Sequence, residues 1–506
     1  MPGLADALPD RTTFHAEQAR RRWHGRLWAL LCLGLAAGLG AVLSTVTGPL
    51  LLLLLALGMK GLAWLGLAPA TMLGALQALN LWIDGNLAQV SRGLDLLDRA
   101  EGPLGVLAAL RPMLGGASLL LPGIGLAVLV WAGLARFYRR SAIASAAADL
   151  GARPPRPGDA EETQLGNILA ELSLAAGLPA PRLLLLDAPQ PNAAVFGASH
   201  RDAAVIATRG LLDRLDRRET QGVVAHLVAA AGDGDLRLAA AIQAVFGTLG
   251  VLVLVFDLPF RRGAWAALRD LLLALAGALP AARAERLRGN LAGSLSPDSM
   301  DAMMRVMSLG ERWPPLGALL VLPLLPWMLL TLVQKLLVSF WMLFVFGWPL
   351  GWLWRARRYL ADAAAVRLLR DPEALAAALR RIDADGMPPG GALQELGFFH
   401  VPTLAREEAG FRNRANMVAA LTPRIGKRLW RLSALGAGPA AEAGWRATLR
   451  QMRQITGWRR WLVLALLALL VPLFAALAGL VTLMLLGASF FSLLGGVALA
   501  RLVLSL

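Results

Sequence analysis

The chain has 506 residues, 57% hydrophobic and only 17% charged, with a mean hydropathy of +0.57. That balance leaves too little polar surface for a soluble protein of this length and implies an integral membrane protein whose main partner is the lipid bilayer. The net charge of +16 would suggest nucleic acid in a soluble protein, but the arginines flank apolar runs, as membrane-anchoring residues do, so nucleic-acid binding is not expected.

Spanning a bilayer as a helix takes about 20 apolar residues. The N-terminal region, 1–140, follows a basic stretch (Arg20, Arg21, Arg22, Arg26) with candidate spans at 27–46, 50–67 and 113–135, read as two or three transmembrane helices. The only cysteine, Cys32, lies inside the first run, which excludes an intramolecular disulfide. This first apolar stretch is longer than a signal-peptide core and is read as a retained anchor.

Residues 141–237 read as soluble. A Pro/Arg linker, ARPPRPGD, precedes an amphipathic helix with Leu165, Ile168, Leu169, Leu172 and Ala176 on one face. RLLLLD (182–187) and AAVIAT (203–208) look like strands, separated by the turn-forming APQPNA. A helix carrying His226 closes the segment. The insert 238–354 contains apolar runs at 238–256, 316–333 and 336–354. Arginine clusters on both sides of it imply an even number of crossings, two being the expected count. Residues 355–458 are again soluble and mostly helical, with DPEALAAALRRI as a clear helix start and body. Runs at 461–480 and 483–506 predict a C-terminal transmembrane hairpin over 459–506.

The stretch VVAHLVAAAGDGD, 223–235, has the rhythm of a zinc-protease helix. In H-E-x-x-H enzymes two histidines one turn apart bind zinc, and the glutamate between them acts as general base. A third protein ligand comes from elsewhere and the fourth position stays open. One histidine in an apolar helix reads first as a core residue. The order of the surrounding signals argues otherwise.

Taken in order, AAGLPAPRLLLLDAPQPNAAVFG, AAVIATRGLLDRLDRRETQGVVAH, GDGDLRL, RARRYLADAAAVRLLRDPEALAAALRRI, FFHVP and LTPRIGKRLWRL resemble the membrane zinc metalloproteases typified by HtpX and the CAAX prenyl proteases. The resemblance covers roughly 160–432 without the membrane insert. It implies an α+β fold: a mostly helical zincin-like domain with a small sheet, interrupted and flanked by transmembrane helices. It also implies zinc as the family cofactor and metalloendopeptidase as the family activity.

Carried over position by position, most of that chemistry is lost. His226 matches the first zinc ligand, but Leu227 stands at the general base and Ala230 at the second ligand. Arg358 stands at the third ligand of the E-x-x-A-D motif, whose Ala361 and Asp362 are kept, as is Asp235 at the helix exit. Thr422 replaces the histidine of a late T-H-P motif. The remaining histidines, His15, His24, His200 and His400, read as terminal, surface or packing residues. No zinc is therefore expected.

Arg358 has two readings: a headgroup anchor together with Arg355 and Arg357, or a fixed charge in the place of the metal, touching Asp235, Asp362 or His226. Ala193, Ala194, Val195 and Phe196 match the strand edge along which family members align substrate, and are a candidate peptide-groove edge. The leading expectation is a catalytically inactive membrane homologue with a regulatory, peptide-binding or scaffolding role towards membrane-protein or peptide segments. The alternatives are an active endopeptidase with a non-standard metal set and a structural subunit of a membrane complex. An arginine-rich composition, 47 of 50 basic residues, suggests a GC-rich genome and a bacterial inner membrane with the protease-like domain cytoplasmic.

Overall fold

The computed structural model describes residues 13–295 except 68, then 304, 308, 314–384, 401–402, 423–440 and 458–505. His400 and Thr422 lie outside the described residues. The fold is α+β, mostly helical with one small sheet.

Helix α1 (Phe14–Trp64) begins at Thr13, whose side chain accepts a bond from the Ala16 N–H, and runs for 51 residues. The two spans expected at 27–46 and 50–67 lie end to end on this single helix, through Pro49. Proline removes one backbone hydrogen bond but need not end a helix that is packed on both sides. Gly496 lies against Pro49, so close that an added Cβ would meet the proline ring carbon at 2.6 Å. α2 (Ala70–Asp98), α3 (Gly102–Gly115) and α4 (Leu121–Leu150) complete the N-terminal region. Five helical segments among the described residues are long and apolar enough to cross a membrane: His15–Thr45, Thr47–Trp64, Gly102–Ser141, Asp235–Asp257 and Gly479–Ser505.

The predicted soluble segment follows. α5 (Ala160–Ala175) starts at Asp159, which caps Glu161 and Glu162, and buries Leu165, Ile168, Leu169 and Leu172 as its spacing requires. Ala176 caps the helix in an exposed position, and Ser173 joins the buried face in its place. Strands β1 (Arg182–Leu186), β2 (Ala193–Ser199), β3 (Asp202–Thr208) and the two-residue β4 (Val401–Pro402) form a sheet in the order β1-β3-β2-β4. β1 runs parallel to β3, and β2 runs antiparallel to both β3 and β4.

After the short α6 (Arg209–Leu212), α7 (Arg217–Gly232) is fixed at its start by a reciprocal capping box between Asp216 and Glu219. α8 (Asp235–Asp257) then leaves this layer, α9 (Arg262–Leu275) and α10 (Ala281–Ser294) pack near its far end, and α11 (Pro314–Phe340) and α12 (Gly347–Leu369) return. The antiparallel course is fixed by two ion pairs, Asp235 with Arg357 at one end and Asp257 with Lys335 at the other. A π-helical segment, Trp341–Phe346, joins α11 to α12, so the separate runs 316–333 and 336–354 become one helical return. α8 thus runs out in one direction, and α11 with α12 run back in the other.

α13 (Pro372–Ala384) packs on α7, and α14 (Ile425–Ala434) lies against both α13 and α12. The C-terminal region is one helix, α15 (Trp458–Ser505), and not the predicted hairpin. No glycine, asparagine or proline stands between the two apolar runs to turn the chain, and the intervening Val481 and Thr482 continue the helix. Its last turns pack Leu493, Val497 and Ala500 against Leu52, Ala56, Leu76 and Ile83.

Candidate functional site

Three helices bring the predicted site residues together. α7 supplies His226, Leu227 and Ala230, all at most 1% exposed. One turn apart, His226 and Ala230 share the α7 face that meets α12. From α12 come Arg358 and Asp362, also one turn apart and buried, with Ala361 packed between the helices. The approach of α7 to α13 depends on Gly222, where a Cβ would sit 2.5 Å from the Leu375 nitrogen. Residues more than 130 positions apart in sequence therefore meet, as the motif order implies.

The third element supplies a residue that sequence reasoning does not single out. Arg428 on α14 is 1% exposed and closes on Asp362, Nη2 donating to Oδ1 at 2.6 Å and Nε to Oδ2 at 3.0 Å. His226 Nδ1 lies 2.7 Å from the same Asp362 oxygen and 3.5 Å from Arg428 Nη2. So short a nitrogen–carboxylate contact assigns the proton to Nδ1, donating to Asp362, and leaves a lone pair on Nε2. Nε2 is buried without a hydrogen-bond partner. The signal for Arg428 is present in IGKRLWRL: it follows Ile425 by three and precedes Leu432 by four, an arginine on the buried stripe of an amphipathic helix.

Burial dominates the His226 ring and pulls its pKa down to about 4. The neighbouring Arg428 and Arg358 add to that, against the opposing pull of Asp362. His226 is neutral at ordinary pH. Burial alone would raise the Asp362 carboxyl, but Arg428 and His226 outweigh it and hold the group well below the usual carboxylate range. Burial also pulls the Arg358 guanidinium down to about 10, which leaves it charged at neutral pH.

The anchor reading of the arginine run is overturned for two of its three members. Arg358 is 2% exposed and points into the site, while Arg357, not Arg358, pairs with Asp235 and donates from Nη2 to the Asp233 carbonyl at 2.5 Å. Asp235 opens α8 and is itself buried, so a charged partner from α12 is what makes its burial tolerable. Arg358 lacks the predicted hydrogen bond to Asp235, Asp362 or His226; its Nε and Nη1 are buried without acceptors, and its guanidinium carbon sits 5.8 Å from the Trp354 ring centroid.

The candidate peptide-groove edge lies within the sheet. Ala193, Ala194, Val195 and Phe196 are at most 1% exposed, and β4 of the same chain pairs along the strand, Ala194 with Pro402 and Val195 with Val401. At Ala194 and Val195 the outer backbone edge of β2 is therefore taken by this chain's own β4.

The residues present do not fit zinc. At the positions where the motif resemblance implies ligands, Ala230 offers a methyl group and Arg358 a cation, whereas a tetrahedral zinc site needs three protein donors. Among the described residues no three His, Cys, Asp or Glu side chains converge closely enough to hold a metal. Two buried guanidiniums beside His226 would repel a dication. Leu227 offers no group that could accept a proton.

Comparison with known proteins bears on the same region. Residues 159–290 match peptidase family M48. A protease HtpX homolog of Dictyoglomus thermophilum is 29% identical over 232 residues, 46% of this chain and 58% of that protein. Another from Listeria innocua is 27% identical over 246 residues, 48% of this chain and 66% of that protein. A third, from Tropheryma whipplei, is 29% identical over 228 residues, 45% of this chain and 59% of that protein. The chain thus spans about three fifths of the length of these relatives. No solved structure matches.

Proposed function

Because the chain belongs to the HtpX/M48 membrane metalloprotease family, we propose that it is a member that has kept the fold and given up metal-dependent peptide hydrolysis. Its role is then regulatory or scaffolding within the membrane. The observation that carries this reading is the charge of the cluster: Arg428 binds Asp362 beside the His226 Nδ1 edge, and Arg358 is buried next to the same ring. A protease of this type would use a zinc ion there to polarise the scissile carbonyl and its attacking water. What this chain's residues do instead is neutralise one another. Asp362 orients the His226 ring and Arg428 compensates Asp362, so packing is gained and no proton acceptor is left at the Leu227 position.

The protein is an integral membrane protein. Its orientation in this proposal puts the α7–α12–α14 layer on the cytoplasmic face of a bacterial inner membrane. The support is the exposed Arg20, Arg22, Arg26, Arg136, Arg139 and Arg140 at the ends of α1 and α4 nearest that layer.

The test is elemental analysis and a peptidase assay on the full chain purified in detergent. The expected result is zinc far below one equivalent, unchanged in His226→Ala, and no cleavage above background. A full equivalent of zinc per chain, lost in His226→Ala, would overturn the proposal.

A further inference from the structure

Among the described residues, the same three helices bring together more arginines than carboxylates. Arg357, Arg358 and Arg428 face Asp235 and Asp362, with His226 neutral, and the neighbouring Asp233 is taken by Arg22 at 3.1 Å. Arg428 is matched to Asp362 and Arg357 to Asp235. Arg358 is left over. Its Nε and Nη1 are buried with no acceptor, and the face of Trp354 is a weak substitute for one. Arginine does not shed its proton to escape such a position. Asp235 Oδ2 also lacks a donor, but swinging Arg358 onto it would leave the charge count unchanged, because Arg357 already neutralises that carboxylate.

We propose that Arg358 anchors a buried binding site for a small monovalent anion, of the halide or carboxylate class, between α7, α12 and α14. One negative charge balances the excess, whereas a dianion such as phosphate or sulfate would invert it. The surrounding His226, Leu227 and Ala230 are at most 1% exposed, which selects an ion that sheds its hydration shell at low cost. The idle donors of Arg358 supply directional bonds to it, in the fork geometry that guanidinium offers to carboxylates and spherical anions. A dication site has become an anion site by exchange of the ligands' charge.

The experiment is thermal unfolding of the full chain in detergent, with gluconate exchanged stepwise for chloride, bromide or formate at constant ionic strength. The expected result is a rise in midpoint that grows with the logarithm of anion concentration, roughly 2–4 °C at about five times the dissociation constant. Arg358→Gln should abolish the rise, and Arg355→Gln should leave it intact. A response to chloride and bromide alone identifies a halide; one to formate alone identifies a carboxylate. Midpoints that do not change with the anion would overturn the site, as would an equal change in Arg358→Gln. Should Arg358→Gln fail to fold, Arg358→Lys replaces it; the site then requires a weakened, right-shifted response, and an unaltered one would overturn it. None of these outcomes depends on whether the protein binds zinc or cleaves peptides.

Discussion

Arg428 grips Asp362 with both ends of its guanidinium, at 2.6 and 3.0 Å, across 66 positions of sequence and from a different helix. The pair is fully enclosed, and Asp362 simultaneously receives the His226 Nδ1 proton. An arrangement of that kind is stable only as a unit. Removing one member strands a buried charge, which is costlier than the pair was worth.

Arg428→Met should therefore cost roughly 3–5 kcal/mol of stability. Adding Asp362→Asn should restore much of that loss, since the stranded carboxylate disappears while the amide oxygen still accepts from His226. Denaturant or thermal melts of the two variants decide the point. If the double variant is no more stable than Arg428→Met, the loss lies in packing of the arginine stem and not in charge.

Acid should weaken the fold over a defined range. The His226 pKa lies near 4 in the folded protein against an ordinary 6.5, so the unfolded chain binds the extra proton first. Stability is full above the ordinary histidine value and falls as pH drops from 6.5 towards 4, by up to about 1.4 kcal/mol per pH unit. Asp362, held well below the usual range, keeps its contribution through this window and loses it only in stronger acid. His226→Gln should flatten the stability–pH curve between these limits. A curve as steep as that of the unaltered protein would assign the slope to other groups.

Much of this architecture is legible in the sequence, for identifiable reasons. RLLLLD and AAVIAT are short apolar runs bounded by turn residues, and both are strands. α5 shows its helical period directly. The meeting of His226 with Asp362 follows from motif order, not from any local pattern. Arg428 is hidden because its role depends on a tertiary contact: an arginine inside KRLWR reads as solvated until the apolar stripe of α14 is known to be buried. The closure of β2 by Val401–Pro402 is equally invisible, since a two-residue pairing has no periodicity to detect. Counting one bilayer thickness per apolar run divides the long helices α1 and α15: Gly48–Pro49 is a turn signal that α1 runs through, whereas Val481–Thr482 carries none.

Gly222 sets the distance between α7 and α13, and so the position of His226. A Cβ there would lie 2.5–2.7 Å from three backbone atoms of Ala374 and Leu375, and backbone does not yield as a side-chain tip would. Gly222→Ala should destabilise the protein by roughly 1–3 kcal/mol despite the better helix propensity of alanine. Gly289, on α10, is the control: a Cβ added there would meet nothing within 4 Å, so alanine should be neutral or stabilising. Equal effects at both positions would show that α7 and α13 are not in close contact.

The sharpest test of how far the metal site has been rebuilt is an attempt to reverse it. Leu227→Glu, Ala230→His and Arg358→Glu together place on α7 and α12 the three residues that the motif resemblance implies. Those changes leave Arg428 in place, 3.5 Å from the His226 ring and bound to Asp362, where its charge opposes a dication and offers the new glutamates an ion-pair partner. Ala230 is wholly buried, so the added imidazole also meets a filled core, at a cost of roughly 1–3 kcal/mol for overpacking. The triple variant should therefore fold less stably and bind zinc far below one equivalent. Adding Arg428→Ala removes both the charge and the volume, and zinc content should then rise, with a matching gain in melting temperature when zinc is supplied. A triple variant that binds a full equivalent of zinc with Arg428 intact would show that the ligands alone were lost, and that the Arg428 charge does not oppose a metal.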